Sequence, residues 1–418
     1  MQGTRFKLFP QPRFLEEYSE PETVVVSSPA GSLDPGPADH RMYTIFPIGK
    51  PKPYGISPDG KDALAPPWTG EIHPLAMPDE DGHFDYLEPG TEQFEAAHLF
   101  GTVRFVLDIW EGYFGRTIPW HGQTHYERQE LTILPTLDNA YSGFGFLEMG
   151  GDFKNGGYKP FSLNFDVIAH EVGHAIIYSE VGVPDPEGAT GEYYAFHESA
   201  ADLVALVSSL HFNTLLDHLL ENTRGNLYML NAVNRMAELS GNKQIRIAAN
   251  DRRLSEYSKG WVKEHKLSQP LTGAFFDILV DIFHECLVER GCISPEMEDL
   301  SDKLLATPDY APVMQALFDE AYAAKPEQFK EALIEARDIM GTYLADTWEV
   351  IDRNDLNFSD VAQIFEDIEH KHTGGRFKKI IRGNFDIRDI GWVEVGPQLA
   401  PLQEDSHANS VRTLMPLD

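Results

Sequence analysis

The sequence has only two cysteines in 418 residues, Cys286 and Cys292. Two thiols make no disulfide framework, and neither stands near the histidines discussed below, so free thiols are the expectation. No stretch approaches the roughly 18 consecutive apolar residues of a membrane span. The opening MQGTRFKLFPQPRF is not followed by an apolar segment of signal-peptide length. A soluble, cytoplasmic protein with no membrane partner is therefore expected, with secretion left open. Positive charge is also scarce: 34 Lys and Arg stand against 66 Asp and Glu, a formal net charge of -32. Such a surface repels phosphates, which argues against nucleic acid as a partner; it can steer cationic substrates, but the excess acid reads first as solubilising. There is no internal repeat and no low-complexity tract.

What remains is an ordinary globular composition, 42% hydrophobic and 24% charged, on a chain too long for one small core. Residues 1–90 are rich in proline and glycine, with short strand-like pieces such as Thr23–Val26 and Met42–Ile48. A mixed α/β stretch, 91–182, opens with a helix over about Thr91–Tyr113. It continues with a strand at Glu130–Leu134 and an extended, edge-like segment at Asn139–Met149, and it closes with a helix that stops at Gly182. Residues 183–350 read as helical, with one helix from about Glu192 and another from about Ser268 to Gly291. A last helix near 358–370 and a tail fill 351–418. The expected fold class is α+β, a strand-containing N-terminal lobe followed by a mainly helical C-terminal lobe.

The chemistry concentrates in His170-Glu171-Val172-Gly173-His174. Residues four apart lie on one face of a helix, one turn apart, so both imidazoles can grip a single ion. Glu171 is rotated by about 100°, outside the ligand pair but within reach of a water on the metal. The surrounding helix is apolar (Val167, Ile168, Ala169, Ala175, Ile176, Ile177), and two histidines and a glutamate inside a buried helix need partners or a metal. Downstream, GEYYAFHESAADLVALV offers Glu198 as a third ligand and Asp202 one turn later, placed to hold the far nitrogen of a ligating histidine. Glu192 and His197 are its rivals. Glu192 suits the helix dipole, and His197 points about 100° away from the Glu198–Asp202 face.

His170, His174, Glu198 and Asp202 together resemble the thermolysin family, the glutamate-liganded HExxH zinc peptidases. Asp166-Val167-Ile168-Ala169 resembles that family's lead-in to its active helix, and Asn139-Ala140-Tyr141 its substrate-binding edge strand. The likeness covers about residues 90–290 and implies two lobes with an active-site cleft between them, one catalytic zinc ion, and peptide or protein substrates. It also implies that Asn139 and Ala140 pair with bound peptide. His265, before the late helix, is the candidate for the oxyanion-stabilising histidine, with Tyr193 or Tyr194 for the family tyrosine; Arg246 keeps a structural reading. Asp166 matches a calcium-binding position, yet its expected partner falls near Ser209, a poor donor for a hard cation; calcium is a secondary expectation. The chain carries no recognisable inhibitory pro-region.

These residues predict metal-assisted hydrolysis of internal peptide bonds, with Glu171 as general base and His265 at the oxyanion. Two rivals share the motif: a non-catalytic, zinc-containing peptide-binding module on the same fold, and a structural zinc closed by a fourth ligand such as His197. His121 with His125, and the run Glu369-His370-Lys371-His372, read as structural.

Overall fold

The computed structural model describes residues 3–13, 15–56, 63–153, 157–228, 235–240, 243–248, 250–257, 263–302 and 311–391. The architecture is α+β, with sheets in the N-terminal part and a mostly helical C-terminal part. Among the described residues two compact units are distinguished: those up to Gly182 together with 237–244, and 183–236 with 245–391.

In the first unit, alternation of side chains builds an antiparallel hairpin from β1 (Gly3–Leu8) and β2 (Glu22–Pro29), with Phe6, Leu8, Val24 and Val26 turned inward. Strand β3 (Met42–Ile45) and a small ribbon, β4 (Gly55–Ile56) with β5 (Ala63–Leu64), follow. Helix α1 (Glu92–Phe114) starts where the Thr91 hydroxyl accepts the Phe94 N–H at 3.1 Å and ends at Gly115, whose φ of 65° suits glycine. Then come β6 (Gln129–Ile133), β7 (Ala140–Gly143), β8 (Phe146–Met149), the short pair β9 (Gly151–Asp152) and β10 (Lys159–Pro160), and α2 (Phe165–Glu180). The main sheet runs β3-β6-β8-β7, parallel except for the β7–β8 pair. Helix α1 packs on β3 and β6, and α2 on β8 and β7. The single extended segment expected at Asn139–Met149 is in fact a hairpin. Gly145, at φ 84°, turns the chain, so of the two strands of the hairpin β7 lies at the sheet edge and β8 lies inside the sheet.

Strands β6 and β8 are buried on both faces, and one face is charged. Glu130 accepts hydrogen bonds from Tyr54 Oη (2.5 Å), Tyr43 Oη (2.6 Å), the Trp68 N–H (2.9 Å) and Thr132 Oγ1 (3.0 Å). Glu148 pairs with Lys50 Nζ and accepts the Tyr54 N–H at 2.7 Å. Burial pushes Glu148 up and Lys50 down, and their attraction opposes both shifts. This network fastens the irregular segment around Lys50, Tyr54 and Trp68 to the sheet, satisfying backbone groups that would otherwise be buried unpaired.

The chain continues with α3 (Gly191–Ser209), α4 (Asn213–Thr223), the ribbon β11 (Arg235–Ser240) with β12 (Lys243–Ile247), α5 (Glu264–Leu267) and α6 (Gln269–Glu289), all of the helices falling in the second unit. It goes on with α7 (Pro295–Asp302), α8 (Ala311–Ala324), α9 (Pro326–Val350), α10 (Phe358–Thr373) and α11 (Lys378–Ile387). Helix α6 is central and packs against α3, α9 and α11. Its Phe275 ring meets Phe365 and Phe385 edge-on at 5.0 and 5.4 Å. Arg388 closes the far end, reaching Asp277 at 2.5 Å and Asn250 at 3.0 Å; a Cβ on Gly273 would stand 2.6 Å from that guanidinium. Both cysteines are free. Among the described residues no single helix is long and apolar enough to cross a membrane.

One histidine ties the first unit's N-terminal arm to the elements before α2. His98 is fully buried on α1; its Nε2 accepts the Phe9 N–H at 3.0 Å, so its Nδ1–H must donate to the Ser162 carbonyl at 2.8 Å. Burial holds the ring neutral and lowers its pKa to about 4. Since the unfolded ring titrates near 6.5, stability from His98 is whole above that pH and is lost as pH falls toward 4. Between pH 7 and 5 this term should cost about 2 kcal/mol. A His98→Gln variant, followed by urea unfolding, is expected to lose correspondingly less stability over that interval than wild type. Parallel losses in the two proteins would contradict the assignment.

Candidate metal centre

Helix α2 forms where the sequence supplies both ends. Asn164 Oδ1 accepts the Val167 N–H at 3.3 Å, and Gly182, at φ 87°, donates back to the Ile177 carbonyl at 3.1 Å. Gln11 Nε2 donates to Asp166 Oδ1 at 3.1 Å in the first turn, so the N-terminal arm also holds the helix start. His170 and Glu171 are buried and His174 is half-buried; the two imidazoles, one turn apart, meet edge to face at 4.5 Å between centroids.

Helix α3 begins at Thr190, whose Oγ1 accepts the Tyr193 N–H at 2.9 Å and donates to the Leu356 carbonyl at 2.6 Å. Glu192 in its first turn does more than favour the dipole: its carboxylate accepts the Phe358 N–H at 2.6 Å, at the start of α10. Glu198 and Asp202 follow on one face, both buried. Ser199 binds Thr272 on α6 at 3.0 Å, which locks α3 against its neighbour.

The three residues expected as ligands come together. One ligand-capable atom from each of His170, His174 and Glu198 lies within 4.8 Å of the others, so this group could hold a metal ion. It is the one such group among the described residues, and it has three members. His197 is not among them; it is buried beside the Tyr193 ring at 5.9 Å. Two imidazoles and a carboxylate are a donor set that fits zinc.

The other expected residues are placed as follows. Asn139 is exposed just before β7, and its carbonyl accepts the Gly150 N–H at 3.0 Å; Ala140 opens β7 opposite Met149. Tyr193 is fully buried, and burial beside Tyr194 pushes its hydroxyl up; Tyr194 is half-buried. His265 lies on α5, half-exposed, with Nδ1 2.9 Å from Glu198 Oε2. Sequence spacing carries no signal for that contact, because it joins two distant helices. Arg246 falls in β12, with its side chain outside the described residues. His372 pairs with Asp346 at 2.7 Å, a structural contact at the end of α10.

No protein-family model and no curated protein sequence matches the chain. Among solved structures, one match is the precursor of protealysin, a metalloproteinase from Serratia proteamaculans. It is 12% identical, with a TM-score of 0.47 over 86% of this chain and 90% of that chain. A likeness of that size leaves the chemistry to rest on the residues themselves.

Proposed function

We propose that this protein is a zinc-dependent peptidase of the thermolysin-like kind that hydrolyses internal peptide bonds. The observation that carries the reading is the convergence of His170, His174 and Glu198 within 4.8 Å, with Glu171 next to the first ligand on the same helix. Three protein ligands suit a catalytic zinc, whose fourth position is left to water, better than a closed structural site. When bound, zinc supplies a Lewis acid and lowers the pKa of water. Glu171, outside the ligand set, takes the proton of the attacking water and returns it to the leaving amine. Asp202, one turn past Glu198, would hold the far nitrogen of a ligating histidine and so fix its tautomer. Asn139 and Ala140, at the start of edge strand β7, would pair with the backbone of an extended peptide.

The metal part of this reading has a direct test. Purified protein should bind one zinc per chain, and either His170→Ala or His174→Ala should abolish that binding, as measured by metal analysis and competition with a chromophoric chelator. Zinc retained in both variants would place the site elsewhere. A second reading, a zinc-containing module that binds peptides without cutting them, is favoured by one contact: His265, the residue expected at the oxyanion, lies against Glu198, its Nδ1 2.9 Å from Oε2. Saturable peptide binding without cleavage would be its signature.

A further inference from the structure

We infer that the outer edge of β2, together with the polar cavity into which its end runs, is a docking site for an extended peptide segment that bears lysine or arginine side chains. Such a site depends neither on the metal group nor on any cleavage.

The pairing of the β1–β2 ribbon shows which backbone groups lie on that edge. In an antiparallel pair, residues whose N–H and C=O point to the partner strand alternate with residues whose groups point away. Arg5, opposite Val25, points away: its N–H reaches His83 Nδ1 at 3.2 Å and its carbonyl accepts the Phe84 N–H at 3.0 Å. The outer edge of β1 is therefore covered by the chain around His83 and Phe84. On β2 the residues in the same phase are Thr23, Val25 and Ser27, and their backbone groups point outward. Ser27 agrees, since its N–H donates to Asp108 Oδ2 at 2.6 Å. The outward groups of Thr23 and Val25 have no partner among the described residues, and both residues are exposed, Val25 by 55%. The run Thr23–Val26 also has none of the lysines or prolines that ordinarily guard an edge. Such an edge accepts a further strand through main-chain hydrogen bonds.

The cavity decides what kind of strand. Ser27, Ser28 and Pro29, at the end of β2, form one wall of a cavity of about 830 Å³, inside the range of roughly 300–1,000 Å³ common to ligand sites. Its arginines are all engaged. Arg104 pairs with Asp108 at 2.8 Å and Glu111 at 2.6 Å, and Arg41 pairs with Glu111 at 2.6 Å. Arg128 lies over the Tyr43 ring at 4.6 Å and donates to the Asp39 carbonyl at 3.4 Å. The carboxylates of Asp34 and Glu127, both exposed in the lining, have no partner among the described residues. The charge left over is negative, which favours lysine or arginine side chains. It disfavours a second copy of this chain, which would bring the same carboxylates and a net charge of -32.

A labelled ten-residue peptide alternating lysine and valine is the probe, titrated with the full chain carrying Glu171→Gln so that the peptide stays whole. Fluorescence anisotropy should show saturable binding, and a peptide with glutamate in place of lysine should not bind. Asp34→Lys with Glu127→Lys should weaken binding by about tenfold. Val25→Pro, which removes an outward N–H that the ribbon does not use, should weaken it similarly. Urea midpoints check folding, and if Val25→Pro fails to fold, the exposed charge pair decides. No binding of the lysine peptide, or binding that neither change weakens, overturns the proposal. Binding lost only in His170→Ala would move the peptide to the metal centre. A dimer in sedimentation that Val25→Pro dissociates would make the occupant a second copy, and the proposal would fall. A protein that binds no zinc and cuts nothing can still pass this test, so its outcome is separate from that of the peptidase.

Discussion

Replacing Glu171 by glutamine should leave zinc bound and lower kcat by about a hundredfold to ten-thousandfold, with KM little changed. The reason lies in where Glu171 stands. It follows the first ligand on α2 but is turned away from the His170–His174 face, and the metal-capable group is complete without it. Glutamine keeps its size and one carbonyl oxygen, so the helix and the ligands have no cause to move. What it loses is the ability to take a proton from water and give it to the departing amine, a change felt in the transition state alone. Steady-state kinetics with parallel metal analysis measure both halves. Full activity in the variant would remove Glu171 from the mechanism, and loss of zinc would make it part of the metal's coordination instead.

The second large effect concerns stability. Lys50 and Glu148 have side chains with no exposure, and Glu130, also buried, stands one strand away. Taking two charges out of water costs several kcal/mol apiece, a cost that their pairing offsets. Lys50→Met removes the cation and leaves two carboxylates on one buried face, and it should cost about 3–5 kcal/mol. Changing Glu148→Gln as well removes the orphaned charge while keeping an acceptor for the Tyr54 N–H. The double variant is therefore expected to be more stable than Lys50→Met alone, although it departs further from wild type. Urea unfolding of the three proteins measures this. A double variant less stable than the single one would mean that the pair contributes no such coupling.

The sequence made the ends of α2 legible because every signal there is local: an asparagine cap, an apolar helix, and a glycine followed by Pro184. The same holds for α3, with Thr190 before it and the Glu198–Asp202 spacing inside it. These two helices carry the proposed ligands, so the part of the site built from helical periodicity could be read in advance. The hairpin at β7 and β8 was harder. Ala140–Met149 is apolar almost throughout, and only Gly145 marks the reversal, in a chain where many glycines mark nothing of the kind. The bounds of α4, inside the stretch read as helical, and the presence of α11 are less legible for a different reason. Each is short, and the strong cap is missing: α4 follows Phe212 and α11 follows Phe377, neither of which offers a side-chain oxygen. The buried charges on β6 and β8 run against the expectation for a parallel strand covered on both faces, which is apolar. Their partners Lys50 and Tyr54 come from an irregular segment whose docking no periodicity encodes. The contact of His265 with Glu198 belongs to the same class, since it depends on how α5 lies on α3.

The central claim is that the His170–His174–Glu198 group serves peptide hydrolysis. Its most direct test is mass-spectrometric analysis of a mixed peptide library incubated with zinc-loaded protein, with the same protein after chelation, and with Glu171→Gln. The account predicts internal cuts by the first sample only, at positions sharing a side-chain preference. No cleavage by the zinc-loaded protein, or cleavage that persists in Glu171→Gln, would contradict it.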